Sequence, residues 1–156
     1  MIDALFIVPG NAQGVYQTLS EDYSAIETPT WALLLAESCS SIGYKVGLID
    51  VTAEKLTHQE ALDRVVDISP SFVVFVVYGQ NVNAGTTNMS GATALSIFFK
   101  LADLNPPIVY IGSHVQALPI ETLENEESID IVCTNEGVYA LWNLLKISRI
   151  NSVHSN

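Results

Sequence analysis

The sequence has 156 residues, of which 49% are hydrophobic and 15% are charged, and its formal net charge is −11. A chain of this length can bury a substantial core, so we expect one domain that needs no disulfide or structural metal. The acidic balance argues against nucleic acid and against anionic membrane surfaces as partners, because both attract basic proteins.

Short apolar runs alternate with helical patterns along the chain. The predicted strands cover residues 4–9, 45–50, 72–77, 107–112 and 130–134. The predicted helices cover residues 28–43, 57–69, 89–103, 118–125 and 136–148. The third strand, FVVFVV, does not alternate between apolar and polar residues, which is typical of a central parallel strand buried on both faces. Five β–α units therefore predict an α/β fold: an open five-stranded parallel sheet of flavodoxin-like or Rossmann-like order 2-1-3-4-5, with helices on both faces.

Two of the predicted helices begin with capping residues. Thr28 is the predicted N-cap of the first helix, with Pro29 at its first helical position. Thr57 and Glu60 form the capping-box pattern at the start of the second helix. Gly43 is expected to end the first helix. Helical spacing predicts that the buried face of this helix consists of Trp31, Leu34, Leu35, Cys39 and Ile42.

The two cysteines indicate a reducing compartment. Cys39 falls in the first helix and Cys133 in the fifth strand, which predicts buried free thiols. No C-x-x-C motif or zinc-type spacing is present. The first residues, MIDALFIVPG, lack a basic region and a cleavage site, so they do not resemble a signal peptide. We therefore expect a cytoplasmic protein.

Ligands of an open parallel sheet bind at the carboxyl ends of its strands, which places the functional loops at residues 9–27, 78–88, 112–118 and 134–138. These loops are rich in glycine, amide and hydroxyl residues and contain no acid–base constellation. They favour a wide, shallow ligand platform, with no catalytic residue and no metal ligand in this chain. Each tip alone is also compatible with an ordinary turn.

The last two tips leave specific alternatives open. Asn135 is a predicted N-cap, and Glu136 would interact favourably with the helix dipole. Capping does not explain Gly137 inside a helix, whereas close approach of a ligand would. His114 is the one histidine at a strand tip, and it is either a ligand contact or a hydrogen-bonding turn residue.

Two other doubly wound classes fit the residues less well. A phosphoacceptor receiver domain needs acids after strand one and an aspartate at the tip of strand three, where this sequence has Val8-Pro9 and Val77-Tyr78. A flavodoxin needs a hydroxyl-rich phosphate loop, and GNAQGVYQT matches that poorly. A simple binder of S-adenosylmethionine or a nucleotide remains possible.

Three segments together resemble the cobalamin-binding, Rossmann-like N-terminal domain of cobalamin-dependent radical S-adenosylmethionine enzymes: TPTWALLLAESCSSIGYKVGLIDV, IVYIGSHVQALPIETL and IDIVCTNEGVYALWNLL. The matching positions, which extend over nearly the whole chain, are Pro29, Gly43 to Asp50, Gly112 to His114, Pro119 to Leu123, and Glu136 with Gly137.

The resemblance implies that a corrin ring lies across the strand tips, with its amide side arms facing residues 78–90. The nucleotide tail would pass between sheet and helices beside small residues such as Gly79, Gly85, Ser90, Gly91 and Ala92. The implied cofactor-binding residues are Pro9, Gly10, Asn11, Gly14, Tyr78, Gly79, Gln80, Asn81, Asn83, Met89, Ser90, Gly112, Ser113, His114, Val115, Asn135, Glu136 and Gly137.

The sequence departs from related patterns at two points. The D-x-H-x-x-G motif of methionine synthase-type domains, laid on residues 9–14, puts Asn11 at the position of the cobalt-ligating histidine. The resemblance therefore implies base-off cobalamin (vitamin B12) with no histidine ligand. The C-x-x-x-C-x-x-C motif that holds a [4Fe–4S] cluster is missing.

The cluster and S-adenosylmethionine would therefore belong to another domain, in cis or in trans, of a parent enzyme of methyltransferase type. We expect residues 1–148 to form the cobalamin-binding domain and residues 149–156 to be a flexible tail or the start of a linker. A fragment is favoured over a stand-alone carrier, and we expect no turnover by the chain alone. The alternative is a stand-alone α/β ligand-binding or protein-interaction module with no cobalamin.

Overall fold

A computed structural model describes residues 2–10, 28–78 and 82–154, with side chains except at 82–87 and 151–154. Its five strands form one sheet in the order β2-β1-β3-β4-β5, and every pair of neighbouring strands is parallel. The predicted fold class and strand order are therefore confirmed. The strands are β1 (Ile2–Val8), β2 (Val46–Asp50), β3 (Pro70–Val76), β4 (Ile108–Ile111) and β5 (Ile131–Cys133).

Six helices occur within the described residues, and they cover both faces of the sheet. They are α1 (Thr30–Ser41), α2 (His58–Ile68), α3 (Val82–Leu101), α4 (Ser113–Ala117), α5 (Pro119–Asn125) and α6 (Val138–His154). None of these helices is long and apolar enough to cross a membrane in the part of the chain that the structure describes.

The central strand β3 contributes to two separate apolar cores. Val73, Phe75 and Val77 join residues of α2 and α3 in one core. Phe72, Val74 and Val76 join residues of α1 and α6 in the other core. Side chains of a strand alternate between the faces of its sheet, so a strand covered on both sides is apolar throughout. This arrangement explains the unbroken apolar run of β3.

Helix α1 differs from its prediction in its start and in its buried face. Pro29, and not Thr28, is the N-cap, and no side chain caps this helix. The buried residues are Ala32, Leu35, Ala36 and Cys39, whereas Trp31 is 45% exposed and Leu34 is 57% exposed. Both sets have helical spacing, and the face with two alanines packs on the sheet because small side chains permit close approach. The predicted end is confirmed, since Gly43 has a φ of 89° and its N–H bonds to the Ser40 carbonyl oxygen.

Helix α2 begins with the predicted capping box. The Glu60 N–H donates to Thr57 Oγ1 at 3.2 Å, and the Thr57 N–H donates to Glu60 Oε2 at 2.8 Å. This cap needs only residues within one turn, so it is a local property of the sequence.

Two of the predicted loops contain helix instead. Helix α3 begins at Val82, although the prediction placed its start at Met89. Small polar residues have modest helix propensity, but extending an existing helix adds one hydrogen bond per residue fixed. Helix α4 follows Gly112 directly, and its first turn closes through the Gln116 N–H and the Gly112 carbonyl oxygen at 3.0 Å.

Helix α6 begins later and ends later than predicted. Its first residue is Val138, because Asn135 and Gly137 adopt positive φ values of 58° and 77° in the preceding turn. Asn135 is therefore not the N-cap. The helix runs to His154, past the predicted end at residue 148. The division of the chain into a domain and a tail at residue 148 remains a proposal.

Candidate functional site at the carboxyl edge of the sheet

Most of the predicted site residues that the structure describes meet at one edge of the sheet. Pro9 and Gly10 follow β1, Tyr78 follows β3, and residues 112–115 and 135–137 follow β4 and β5. Met89 and Ser90 lie in α3. Asn11, Gly14, Gly79, Gln80 and Asn81 lie outside the described residues, and Asn83 is described only as part of the α3 backbone.

Tyr78 joins four elements at the tip of β3, beside the point where strand order reverses. Its ring stacks on Trp31 of α1, with centroids 4.9 Å apart and planes at 28°. Its hydroxyl donates to the Asn135 carbonyl oxygen at 3.3 Å, and its own carbonyl oxygen accepts from Asn88 Nδ2 at 2.9 Å. Burial, and then the negative charge of Glu136, raise the pKa of Tyr78. Tyr78 is therefore a neutral hydrogen-bonding group at ordinary pH.

The glycines of the strand tips are required by contacts within the protein. A Cβ atom at Gly112 would lie 2.6 Å from the Val77 carbonyl carbon. A Cβ atom at Gly10 would lie 2.7 Å from Thr52 Cβ, and one at Gly137 would lie 2.8 Å from Ile111 Cγ1. Gly137 also has the positive φ that favours glycine. Gly137 therefore lies in the turn before α6 and not inside the helix as predicted, and its role as a cofactor contact remains a proposal.

Three predicted site residues line a groove on the flank of α3. Met89, Ser90 and His114 contribute to its walls, together with Ile97 and Glu126, and its volume is about 470 Å³. Among the described residues, Tyr78 and Asn135 do not line it. The structure therefore divides the predicted residues between the sheet edge and this groove.

Other predicted site residues differ in exposure. Ser113 is exposed at the tip of β4, and Asn135 and Glu136 are exposed beyond β5. Val115 and Pro9 are buried, and Val115 packs in the core beside α2 and α3. The side chain of Val115 therefore contributes to packing.

Two tryptophans belong to the same region, and the sequence-based site omitted both. Trp31 is the exposed partner of Tyr78. Trp142 of α6 packs edge-on against Tyr139, with ring centroids 5.3 Å apart. Its indole N–H is buried and has no hydrogen-bond partner among the described residues. A signal in the sequence could have identified both residues. Trp31 lies in the first turn of the helix after β1, and Trp142 lies in the second turn of the helix after β5.

The titratable groups of the described region do not cluster into a metal site. No group of three or more His, Cys, Asp or Glu side chains comes close enough to hold a metal ion within residues 2–10, 28–78 and 82–154. Asp50, a buried carboxylate at the end of β2, accepts from the Ala53 N–H at 2.9 Å and stabilises the local turn. Cys39 and Cys133 are buried free thiols, as predicted.

Comparison with known proteins relates this chain to solved structures. No family model and no curated protein matches it. The cobalamin-dependent S-adenosylmethionine radical enzyme OxsB, with aqua-cobalamin and S-adenosylmethionine bound, matches with a TM-score of 0.67 and 16% identity over 96% of this chain and 19% of that chain. The apo form of OxsB matches with a TM-score of 0.54.

The radical S-adenosylmethionine methyltransferase TsrM from Kitasatospora setae, with its substrate tryptophan and the S-adenosylmethionine analogue aza-SAM bound, matches with a TM-score of 0.68. The identity is again 16%, over 94% of this chain and 25% of that chain. At this identity the likeness establishes a shared fold. The chain spans about a fifth to a quarter of the length of these enzymes.

Proposed function

We propose that this chain is a cobalamin-binding domain of a cobalamin-dependent radical S-adenosylmethionine enzyme. The observation that carries the proposal is the likeness of the fold, over 96% of this chain, to an enzyme of that class with aqua-cobalamin bound. The sequence resemblance, found from local motifs, points to the same class of protein.

The chemistry of the sheet edge fits a corrin ring. A corrin carries neutral amide side arms, which need neutral donors and acceptors. The described tips offer the Tyr78 and Ser113 hydroxyls and the Asn135 amide, and the groove beside α3 adds the His114 imidazole. Gly112 and Gly137 add no side chain at these tips, where packing against Val77 and Ile111 leaves no room for one. Bound cobalamin would supply the cobalt chemistry, and these residues would bind and orient it.

Binding of hydroxocobalamin tests this proposal directly. The absorbance spectrum of the cobalamin should change on titration with the chain and saturate at one equivalent. Ser113→Trp should weaken binding at least tenfold, because an indole at the exposed tip of β4 would occupy space that the ring needs. Gln116→Trp is the matched control, since residue 116 is exposed on the same short helix. Absence of binding by the unmodified chain would refute the proposal.

The proposed state of the cobalamin is base-off, with no histidine bound to cobalt. The absence of a histidine ligand is proposed because Asn11 occupies the position of the cobalt-ligating histidine in the D-x-H-x-x-G motif. Imidazole is a common metal ligand in proteins, and a carboxamide is a poor substitute for it. Electron paramagnetic resonance of the reduced, bound cobalt should show lines without nitrogen splitting. Triplet splitting that disappears in His114→Ala would identify His114 as a cobalt ligand and exclude the base-off, histidine-off state.

The proposed parent enzyme is of methyltransferase type, and its iron–sulfur domain would be supplied in cis or in trans. The purified chain alone should not cleave S-adenosylmethionine. Adding a separately purified iron–sulfur domain of the same parent enzyme should restore turnover and methyl transfer. Cleavage of S-adenosylmethionine by the chain alone would contradict this division of roles.

A protein-interaction module without cobalamin is the second candidate. Large apolar side chains are exposed at the end of α3, between α4 and α5, and within α5, namely Leu101, Leu118, Ile120 and Leu123. Exposed apolar groups on adjacent elements are typical of protein contact surfaces. The second candidate would be favoured if the chain does not bind cobalamin but self-associates in sedimentation experiments. Ile120→Glu should then abolish this self-association.

A further inference from the structure

The Trp31–Tyr78 pair has the properties of a ligand-stacking surface. Trp31 lies in the first turn of α1, but the core contacts of this helix are made by Ala32, Leu35 and Cys39. The indole is therefore not needed to fill the core, and 45% of its surface is exposed. An exposed tryptophan beside a candidate site is more informative than an exposed aliphatic residue, because stacking on a flat partner uses its whole face.

The position of the pair is fixed from several directions. Tyr78 covers one face of the indole at a centroid distance of 4.9 Å. Tyr78 is itself held by its hydroxyl bond to the Asn135 carbonyl oxygen and by the bond from Asn88 Nδ2 to its carbonyl oxygen. A surface that is already ordered loses little conformational freedom when a ligand binds. Trp31 is thus stacked on a residue that is itself held by two hydrogen bonds.

The pair also lies where ligands of this fold class bind. Tyr78 lies two residues beyond the end of β3, which pairs with β1, and the strand order reverses between these two strands. Tyr78 and Trp142 both pack against the core beneath α1 and α6.

We infer that Trp31, braced by Tyr78, stacks on the heteroaromatic base of the nucleotide tail of bound cobalamin. The inference rests on the proposed function and assigns to it a residue that selects for the tail. It places the base on the α1 side of β3, and not beside residues 79–92 on the α3 side as the resemblance implies. A base that does not ligate cobalt needs another binding surface, and a neutral indole suits a flat, neutral heterocycle. Stacking of a base on an aromatic side chain changes affinity by about tenfold or more.

The test compares two ligands that differ in this base. Hydroxocobalamin carries the nucleotide tail, and aquocobinamide has the corrin ring without it. Trp31→Leu keeps an apolar side chain but removes the aromatic face, so it should weaken binding of hydroxocobalamin by about tenfold. Its affinity for aquocobinamide should stay within about twofold of the unmodified chain. Trp31→Phe should retain most of the affinity for hydroxocobalamin, because a phenyl ring can still stack.

Leu34→Ala is the matched control, since Leu34 is an exposed apolar residue on the same helix. It should bind both ligands as the unmodified chain does. Equal losses for both ligands in Trp31→Leu, or no loss for either, would overturn the inference while the proposed function stood. Absence of binding of either ligand by the unmodified chain would refute the proposed function itself.

Discussion

Gly112 and Val77 approach so closely that residue 112 has no room for a side chain. A Cβ atom there would lie 2.6 Å from the Val77 carbonyl carbon and 3.0 Å from the Val77 Cα atom. The same two strand ends are joined by the Val77 N–H and the Ile111 carbonyl oxygen at 2.7 Å. The tips of β3 and β4 are therefore packed backbone to backbone.

Gly112→Ala should destabilise the fold because the obstructing atoms belong to the backbone and cannot rotate away. We expect the free energy of unfolding to fall by about 1–3 kcal/mol, as for overpacked sites in general. Chemical denaturation measures this. Gly47→Ala is the control, because a Cβ atom there meets only the ends of the Leu5 and Ile2 side chains, at 3.1 and 3.3 Å. Equal effects of the two substitutions would contradict the explanation.

Tyr110→Phe should remove one hydrogen bond from a buried network. The Tyr110 hydroxyl donates to Ser96 Oγ at 2.8 Å, and Ser96 Oγ lies 2.8 Å from Ser128 Oγ. Ser96 keeps partners in Ser128 and in the Thr93 carbonyl oxygen when the tyrosine hydroxyl is lost. The expected loss is therefore only about 1 kcal/mol in the free energy of unfolding. Tyr139→Phe, at an exposed ring, is the control and should change little.

The same tyrosine predicts a pH dependence at the alkaline end. Burial raises the pKa of Tyr110 above its ordinary value. Above pH ~10 the unfolded chain loses this proton while the folded chain keeps it, so stability falls as the pH rises. The decline should be shallower in Tyr110→Phe. Urea denaturation between pH 9.5 and about pH 11 checks this. If the free energy of unfolding falls equally with pH in both proteins, Tyr110 is not the group responsible.

Cys133 should behave in a similar way at a lower pH. Burial raises the pKa of its thiol from 9.0 to about 11. Between these values the unfolded chain ionises and the folded chain does not, which lowers stability as the pH rises. Cys133→Ala should remove up to about 1.4 kcal/mol per pH unit of this slope. In the folded protein at pH 8, the thiol should react slowly with an aromatic disulfide reagent; rapid reaction would show that Cys133 is accessible.

Arg149→Ala should destabilise the fold through contacts that join α6 to β1 and α1. Arg149 Nη2 donates to Asp3 Oδ2 at 3.0 Å and to the Gly43 carbonyl oxygen at 2.8 Å. The guanidinium also lies over the Tyr44 ring, 4.0 Å from its centroid. We expect a loss of about 1 kcal/mol, because the groups are partly exposed. Arg64→Ala, which removes an exposed ion pair with Glu54, should cost less.

The Asp3 carboxyl also predicts that the stability of the fold depends on pH in the acidic range. Burial acts to raise the pKa of Asp3, but the bonds from Arg149 and from the Lys45 N–H outweigh it, and the pKa lies below its usual value. This contribution to stability is present above pH ~4 and is lost as the pH falls through the pKa of the folded state. Arg149→Ala should reduce it. Deleting residues 149–156 should destabilise the chain similarly; an unchanged midpoint would support a domain boundary at residue 148.

The parts of the fold that were predicted correctly depend on patterns within short segments. The apolar run from Phe72 to Val77 predicted a central strand because two covered faces leave no polar position. The capping box of Thr57 and Glu60 acts within one helical turn. Such features can be inferred from the sequence since the interacting residues are neighbours in the chain.

The parts that were missed depend on contacts between distant segments. Gly112 and Gly137 were interpreted only as cofactor contacts, and the nearness of Val77 and Ile111 shows that packing also requires them. Trp31 was assigned to a buried face because two apolar stripes of α1 have the same spacing. The stripe with two alanines packs on the sheet, and this leaves the indole to meet Tyr78.

Because β3 is buried on both faces, the register of its pairing with β1 depends on side-chain volume more than on polarity. A slip of one residue would exchange the side chains of its two faces, but both sets are apolar, so polarity would oppose the slip only weakly. Differences in side-chain volume oppose the slip instead. Phe75 fits between Phe99 and Tyr110, with ring centroids 6.0 and 5.1 Å away, and Val74 and Val76 occupy the opposite face. Substitutions in β3 that preserve polarity but alter size are therefore the ones expected to permit misaligned strands.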